Sequence, residues 1–253
     1  MRNGPGPTWL GIGAQRSGTT WLTDLLLQHP DVCLAPGETK ELHAFDTAVV
    51  DGWTDDDSRA YRARFTGAAA SNPGEFTPYY LRAPWVPSVA RRACGRNVTV
   101  IVILRDPVAR FASAMRWYEH RRSNKKERTA FSQREWLRDR TADAIWGGMY
   151  AAHLRMWAAV FDPHQLLVLQ YEQARAEPQK AVNAVWARLG LSPVGLRDVG
   201  ARSRTATADV GAADDHWGVA NDLRARLGDA YRRDVAELEA SWGIDPAWWP
   251  SVG

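Results

Sequence analysis

The chain has 253 residues, of which 45% are hydrophobic and 24% are charged, a composition typical of a globular protein that can bury a sizeable core. No apolar run reaches the roughly 18 residues of a membrane helix, so no membrane span is predicted. The formal net charge of +3 suits an anionic ligand but is too small to indicate nucleic-acid binding. Cys33 and Cys94, the only cysteines, form no disulfide framework, and this usage predicts a cytoplasmic protein.

The first half of the chain alternates between strand and helix patterns, which is typical of a parallel sheet covered by helices. Residues 1–7 are expected to be disordered, and TWLGIG is expected to form a strand that leads directly into a glycine-rich loop. The segment TTWLTDLLLQHP predicts a helix that ends at Pro30, and DVCLAP predicts a second strand. The apolar, β-branched run 97–104 has no polar face, so it predicts an interior strand. Asp106 and Pro107 then predict a helix start, as N-cap and first-turn proline.

The second half continues the alternation. The remaining predicted elements are helices at about 131–140, 148–160, 178–190 and 217–240 and a strand at 165–171. The segment from about 191 to 213, rich in glycine, serine, alanine and arginine, is expected to be a long loop. The sequence contains no internal repeat and no evident linker. It therefore predicts one α/β domain over residues 1–253, with a central parallel sheet flanked by helices.

The glycine-rich loop GAQRSGTT, residues 13–20, is similar to the nucleotide-phosphate loop G-x-x-x-x-G-K-[ST]. Thr19 stands where that pattern has lysine, and a cation comes earlier, at Arg16. Strand, loop and helix follow in the order that makes loop amides and a helix N-terminus converge on an anion. The glycines could instead serve only a tight turn, but the neighbouring hydroxyls and arginine favour anion binding. The residues expected to hold the anion are Arg16, Ser17, Gly18, Thr19 and Thr20.

The identity of the anion depends on residues that a nucleotide kinase needs. Such a kinase uses the loop lysine on the phosphates and an aspartate at a strand end to hold Mg²⁺. Here the lysine is absent, and the run 97–104 is followed by Arg105 before any carboxylate. An arginine at the carboxyl end of a strand suits a phosphate through its planar fork. The residues therefore favour metal-free phosphate binding over Mg-ATP.

These segments carry a family resemblance. GAQRSGTTW resembles the 5′-phosphosulfate loop of sulfotransferases that use 3′-phosphoadenosine 5′-phosphosulfate (PAPS), and ILRDPVARFASAM resembles their 3′-phosphate motif. KELHAFD, GEFTPYYL and GMYAAHLRMW resemble three motifs of the heparan-sulfate branch, and LLVLQYEQARAEPQKAVNAVWARLGL resembles its late strand–helix unit. The resemblance covers about residues 8–191 in order, and it is nearest to the carbohydrate sulfotransferases and their bacterial relatives.

The resemblance implies an enzyme that moves the sulfuryl group of PAPS to a hydroxyl or amine of a carbohydrate, glycolipid or small metabolite. Glu41 would be the general base, and Arg16 would stabilise the transferring group. His43 would either orient Glu41 or serve as the base itself. Adenosine 3′,5′-bisphosphate (PAP) would be the product, and no metal is implied. The implied nucleotide-binding residues are Arg16, Ser17, Gly18, Thr19, Thr20, Trp21, Arg105, Ser113, Arg202 and Arg204.

The chain also departs from the family pattern. Phe76 stands where the heparan branch has a lysine before T/S-P, so that lysine's contact to the reaction centre is missing. The family's late K-G-R loop has no evident counterpart, and Arg202 or Arg204 in GARSRTAT, residues 200–207, could replace it. Trp21 could stack on adenine or could be the first core residue of its helix.

Two other functions remain open on sequence alone: a Mg-ATP-dependent small-molecule kinase of the phosphate-loop class, and a nucleotide-binding protein without catalysis. High arginine and alanine usage indicates a bacterial source, which favours a metabolite or small glycoside as acceptor. The sequence predicts no oligomeric state.

Overall fold

The computed structural model describes residues 6–124, 133–197, 199 and 221–252. The chain divides into two compact units, the first formed by residues 1–104 with 153–202 and the second by residues 105–152 with 203–253. The organisation of residues 1–253 as one domain stays a prediction.

A five-stranded parallel sheet, in the order β2-β3-β1-β4-β5, lies in the first unit. Its strands are β1 (Trp9–Gly13), β2 (Val32–Leu34), β3 (Asn72–Phe76), β4 (Thr99–Leu104) and β5 (Leu166–Gln170). Every residue of β4 is buried, and β4 pairs with a strand on each side, as its apolar sequence predicted. The α/β fold with a central parallel sheet is confirmed.

Strand β3 is missed by the sequence patterns because it contains residues that rarely occur inside strands. Pro73 and Gly74 lie in its middle, although β3 pairs with a strand on each side. The glycine is explained by close packing, since a Cβ at Gly74 would lie 2.3 Å from the Trp9 ring. Tertiary packing, which no local pattern encodes, therefore selects this strand.

The helices of the described residues are α1 (Thr19–Leu26), α2 (Ala48–Asp51), α3 (Asp55–Ala63), α4 (Val86–Cys94), α5 (Pro107–Asn124), α6 (Gln133–Trp146), α7 (Tyr150–Ala158), α8 (Tyr171–Ala176), α9 (Pro178–Arg188) and α10 (Asn221–Trp242). The prediction that α1 runs to Pro30 is wrong. The N–H groups of Gln28 and His29 bond the carbonyls of Leu25 and Leu26 at 3.1 and 3.2 Å. These bonds reach back only three residues, so the chain tightens into a turn before the proline.

The core of the first unit lies between the sheet and helices α1 and α9. The apolar face predicted for α1, which contains Trp21, Leu22, Leu25 and Leu26, is buried there. Trp186 of α9 is fully buried in the same cluster, and Trp157 of α7 is also fully buried. Burial of these apolar faces, at roughly 25 cal/mol per Å² of apolar surface removed from water, holds the loop before α1 on a rigid base.

The second unit has two helix starts that are held by carboxylates. Asp106 accepts hydrogen bonds from two N–H groups in the first turn of α5, at 2.9 and 3.1 Å, which confirms its prediction as N-cap. Asp234 of α10 does the same for the N-terminal turn of α7, at 2.9 and 3.2 Å. Burial raises the pKa of Asp234.

Some sequence predictions lie outside the described residues: residues 1–5 of the expected disordered segment, most of the expected loop 191–213, and Arg202 and Arg204. Residues 191–197 are irregular, as expected of that loop. Within the described part of the chain, none of the helices combines the length and apolar character needed to cross a membrane.

Candidate active site

The loop between β1 and α1 has the backbone of an anion-binding turn. Gly18 is the N-cap of α1 and adopts the left-handed conformation, at φ 83°, without a side-chain cap on the helix. A Cβ at Gly18 would lie 2.4 Å from the Tyr171 ring, so both the backbone angle and the packing require glycine. The first N–H groups of a helix have no partners inside it and form its positive end. The loop therefore presents donors to an anion.

A buried hydroxyl in this loop has no partner among the described residues. Ser17 is fully buried, and its Oγ makes no hydrogen bond. The loop around it is fixed, because the Ala14 N–H bonds the carbonyl of Ile103 in β4 at 2.8 Å and the Ser17 N–H bonds the carbonyl of Ala14 at 3.2 Å. An unmet hydroxyl in a buried place costs about 1–3 kcal/mol, and an anion bound at the loop would satisfy it. The residues present thus fit a phosphate group.

The segment KELHAFD, residues 40–46, contacts this loop through Lys40. The Lys40 ammonium donates to Thr19 Oγ1 at the start of α1, at 3.3 Å, and lies 2.8 Å from Glu41 Oε1. The Lys40 side chain is only 15% exposed, and burial lowers its pKa against the opposing effect of nearby carboxylates. The structure therefore brings the predicted base next to the predicted phosphate loop.

Glu41 is held on its other side by a histidine. His43 Nε2 lies 3.3 Å from Glu41 Oε2, and His43 Nδ1 lies 2.8 Å from Asp46 Oδ2. The Glu41 side chain is 36% exposed, so a substrate can reach its carboxylate from solvent. His43 has a left-handed backbone, at φ 50°, which is uncommon for a residue with a side chain. This geometry suits the orienting role expected for His43.

Glu75 binds the backbone of the segment KELHAFD, and the sequence patterns do not identify it as a residue of the site. Its carboxyl is fully buried in β3 and accepts hydrogen bonds from the Leu42 N–H at 3.2 Å and from Thr77 Oγ1 at 2.6 Å. The hydroxyls of Tyr61 and Tyr80 donate to it as well, each at 3.1 Å. Burial raises the pKa of Glu75 from its ordinary 4.5 to about 7, although these hydrogen bonds oppose the shift. The run of hydroxyl-bearing residues after Glu75 in GEFTPYYL is the signal that could have found it.

Phe76 is part of the core of the first unit. It is fully buried and pairs in register with Gly11 of β1. A Cβ at Gly11 would lie 2.1 Å from the Phe76 ring, which explains the glycine inside β1. The Lys40 ammonium lies 5.3 Å from the centre of the Phe76 ring.

Trp21 packs in the core of the first unit and is 8% exposed. Its ring meets Tyr171 edge-on at 6.1 Å, and the Arg175 guanidinium lies 5.0 Å from its centre. Its indole N–H donates to the carbonyl of Val199 at 3.3 Å. These contacts account for Trp21 as a core residue, and stacking on adenine stays a prediction.

Arg105 and Ser113 both belong to the second unit. Arg105 directly follows β4 in the chain and is half-buried, and its carbonyl accepts a hydrogen bond from the Tyr150 hydroxyl at 2.9 Å. Ser113 lies on α5 and is buried. Their binding of a 3′-phosphate stays a prediction.

Comparison with known proteins identifies the family of this chain. The family model described as "Sulfotransferase domain" matches residues 7–199. The chain is 26% identical over 205 residues to the mouse bifunctional heparan sulfate N-deacetylase/N-sulfotransferase 4, covering 74% of this chain and 22% of that protein. It is 28% identical over 198 residues to the mouse heparan sulfate glucosamine 3-O-sulfotransferase 3B1, covering 74% of this chain and 47% of that protein. The chain thus spans between about a fifth and a half of these curated relatives.

A solved structure is similar over nearly the whole chain. The crystal structure of a sulfotransferase from Alicyclobacillus acidocaldarius superimposes with a TM-score of 0.70 at 26% identity, covering 96% of this chain and 98% of that one. Fold, loop and comparisons define a transferase of the phosphate-loop-like α/β class. This chain belongs to the sulfotransferase domain family, and the resemblance inferred from its motifs is confirmed.

Proposed function

We propose that this protein transfers the sulfuryl group of PAPS to a hydroxyl or amine of a carbohydrate, glycolipid or small-metabolite acceptor, with Glu41 as the general base. The observation that carries the proposal is the Glu41 carboxylate, which contacts Lys40 on one side and His43 on the other. Lys40 in turn contacts Thr19 at the start of α1. A solvent-accessible proton acceptor therefore lies beside an anion-binding loop, as transfer from a phosphorylated donor requires.

On the donor side, the 5′-phosphosulfate of PAPS would be held by the loop before α1. This assignment is supported by the Ser17 hydroxyl, which has no hydrogen-bond partner among the described residues, and by the start of α1, where Gly18 provides no side-chain cap. Arg16 would add positive charge, in place of the family's lysine. By resemblance, Arg105 and Ser113 would hold the 3′-phosphate. PAPS, when bound, supplies the sulfuryl group and leaves as PAP.

On the acceptor side, the reaction needs a base for the proton that the acceptor loses. Glu41 takes this proton while the acceptor oxygen or nitrogen forms its bond to sulfur. The bond between sulfur and the 5′-phosphate oxygen breaks, and its electron pair stays on that oxygen. The loop amides and Arg16 stabilise the charge that develops there. His43, fixed on Asp46 at 2.8 Å, keeps the Glu41 carboxylate oriented.

The class of acceptor is supported by the two curated relatives reported above, both of which are named for heparan sulfate. We therefore infer a saccharide or a small glycosylated or hydroxylated metabolite, in keeping with the bacterial source indicated by composition.

Both cysteines, Cys33 and Cys94, are free thiols, which supports the cytoplasmic location inferred from the sequence.

The proposal is tested first by calorimetry. PAP is expected to bind with the same affinity in EDTA as in Mg²⁺, and more tightly than ATP with Mg²⁺. Tighter binding of ATP with Mg²⁺ would instead support a kinase. A screen of saccharides, glycolipids and hydroxylated metabolites with labelled PAPS then follows. PAP binding without transfer to any of them would favour a nucleotide-binding protein without catalysis.

A further inference from the structure

We propose that Lys40 is a catalytic residue, whose ammonium donates to the oxygens of the transferring sulfuryl group and replaces the cation that Phe76 does not provide. The inference rests on the proposed function. It concerns a residue to which the sequence patterns assign no role.

The location of Lys40 is the first observation. Its Nζ lies 3.3 Å from Thr19 Oγ1, at the start of α1, and 2.8 Å from Glu41 Oε1. An in-line displacement places the leaving oxygen and the attacking atom on opposite sides of sulfur. The loop before α1 would hold the leaving side, and Glu41 would hold the attacking side. A cation that contacts both Thr19 and Glu41 would therefore lie beside the non-bridging sulfuryl oxygens of bound PAPS.

The second observation is the relation of Lys40 to Phe76. The Lys40 ammonium lies 5.3 Å from the centre of the Phe76 ring, and the Phe76 N–H bonds the Lys40 carbonyl at 2.9 Å. Phe76 is fully buried against Gly11, where a charged side chain would lack solvation. Phe76 stands where the family has a lysine, and the segment KELHAFD places the Lys40 ammonium over its ring.

The third observation separates Lys40 from an ordinary surface ion pair. Lys180 also pairs with a carboxylate, Glu177 at 2.9 Å, but its side chain is 76% exposed, against 15% for Lys40. Exposed pairs of that kind stabilise a fold little. Burial of the Lys40 ammonium costs solvation and lowers its pKa, so this charge is kept in a place that is unfavourable for it. A transferring sulfuryl group would give it a further anionic partner beside Glu41.

Three carboxylates act on the charge of Lys40. Asp24 of α1, Glu41 of its own segment and Glu75 of β3 all favour the protonated form, while burial opposes it. The ammonium is therefore expected to lose its proton at a lower pH than an exposed lysine. An arginine at this position would keep its charge throughout the alkaline range.

The test compares PAPS with PAP, because only PAPS carries the sulfuryl group. Calorimetry is done on the wild type, K40M, K40R and the matched control K180M at pH 7.5. For K40M, we expect PAPS affinity to fall about ten- to a hundred-fold, which is the usual loss for one charge-assisted hydrogen bond, while PAP affinity changes less than about threefold. K40R should retain most of the PAPS affinity, and K180M should match the wild type. Raising the pH to 10 should weaken PAPS binding by the wild type but not by K40R.

Each other outcome contradicts the assignment in a recognisable way. Equal losses of PAPS and PAP in K40M would place Lys40 on the 5′-phosphate. Unchanged affinities for both would reduce it to a structural partner of Glu41. A wild type that binds neither nucleotide would overturn the proposed function, and with it the role of Lys40. Circular dichroism and thermal midpoints of K40M and K40R show whether both variants are folded.

Discussion

The buried carboxyl of Glu75 gives a prediction that concerns stability and does not depend on the substrate. Glu75 accepts hydrogen bonds from the Leu42 N–H and from the Tyr80 hydroxyl, and that hydroxyl in turn accepts one from the Ala44 N–H. These bonds hold the segment that contains Glu41 and His43. Its replacement by glutamine, E75Q, keeps the size of the side chain and removes the titrating group. The effect of this change on unfolding must therefore depend on pH.

The sign follows from the two pKa values. The ordinary pKa is 4.5, which applies to the unfolded chain, and burial raises the folded value to about 7. Between these values the folded protein holds a proton that the unfolded chain has released, so stability falls as pH rises. The contribution of neutral Glu75 is complete below pH 4.5 and is lost as the pH reaches about 7. A difference of about 2.5 pKa units corresponds to about 3 kcal/mol.

Urea unfolding at several pH values from 4.5 to 8 measures this effect. Between the ends of that range, the free energy of unfolding of the wild type should fall relative to that of E75Q by about 3 kcal/mol. The matched control is E177Q, because Glu177 is 61% exposed and is expected to give a curve parallel to the wild type. Any constant offset caused by the glutamine does not affect the comparison. If the free energies of unfolding of wild type and E75Q changed in parallel with pH, the pKa of Glu75 would not be raised by folding.

Two further predictions concern nucleotide binding. G18A should lose about 1–3 kcal/mol of stability and most PAP affinity, because φ is 83° and a Cβ would lie 2.4 Å from the Tyr171 ring. The control G37A has a comparable φ of 69°, and the described residues place no atom within 4 Å of the added Cβ. It should therefore be destabilised less and bind PAP normally, as thermal midpoints and calorimetry would show. R105A should weaken PAP about ten- to a hundred-fold while leaving adenosine 5′-monophosphate, which lacks the 3′-phosphate, almost unaffected. Equal losses for both nucleotides would remove Arg105 from the 3′-phosphate site.

The parts of the fold that the sequence predicts are those written in local patterns. The run 97–104 is apolar without interruption, and the apolar face of α1 recurs at helical spacing, so both elements are recognisable in isolation. Strand β3 is not recognisable, because Pro73 and Gly74 are accommodated only by its neighbours. The end of α1 differs from the prediction because hydrogen bonds that reach back three residues stop the helix before Pro30.

The candidate site, like the fold, could be predicted from the sequence only where a local motif encodes it. The glycine loop and the segment KELHAFD are recognisable as motifs, but their mutual contact is not, since Thr19 and Lys40 are 21 positions apart in the sequence. Lys40 has no recognisable role in the sequence, because its contact with Thr19 and its burial exist only in the folded chain. Glu75 reads as a single charged residue in an apolar segment, and its role depends on hydroxyls that only the folded chain brings together.

The role of Glu41 as the base for sulfuryl transfer is tested by the variant E41Q. With labelled PAPS and an acceptor identified by the screen, turnover by E41Q should fall about 10²- to 10⁴-fold. PAP affinity should stay within a few-fold of wild type, because the nucleotide is held by other residues. H43Q should lose less turnover, because His43 orients the carboxylate at 3.3 Å rather than taking the proton. Turnover that survives in E41Q but is abolished in H43Q would identify His43 as the base and contradict the assignment of Glu41.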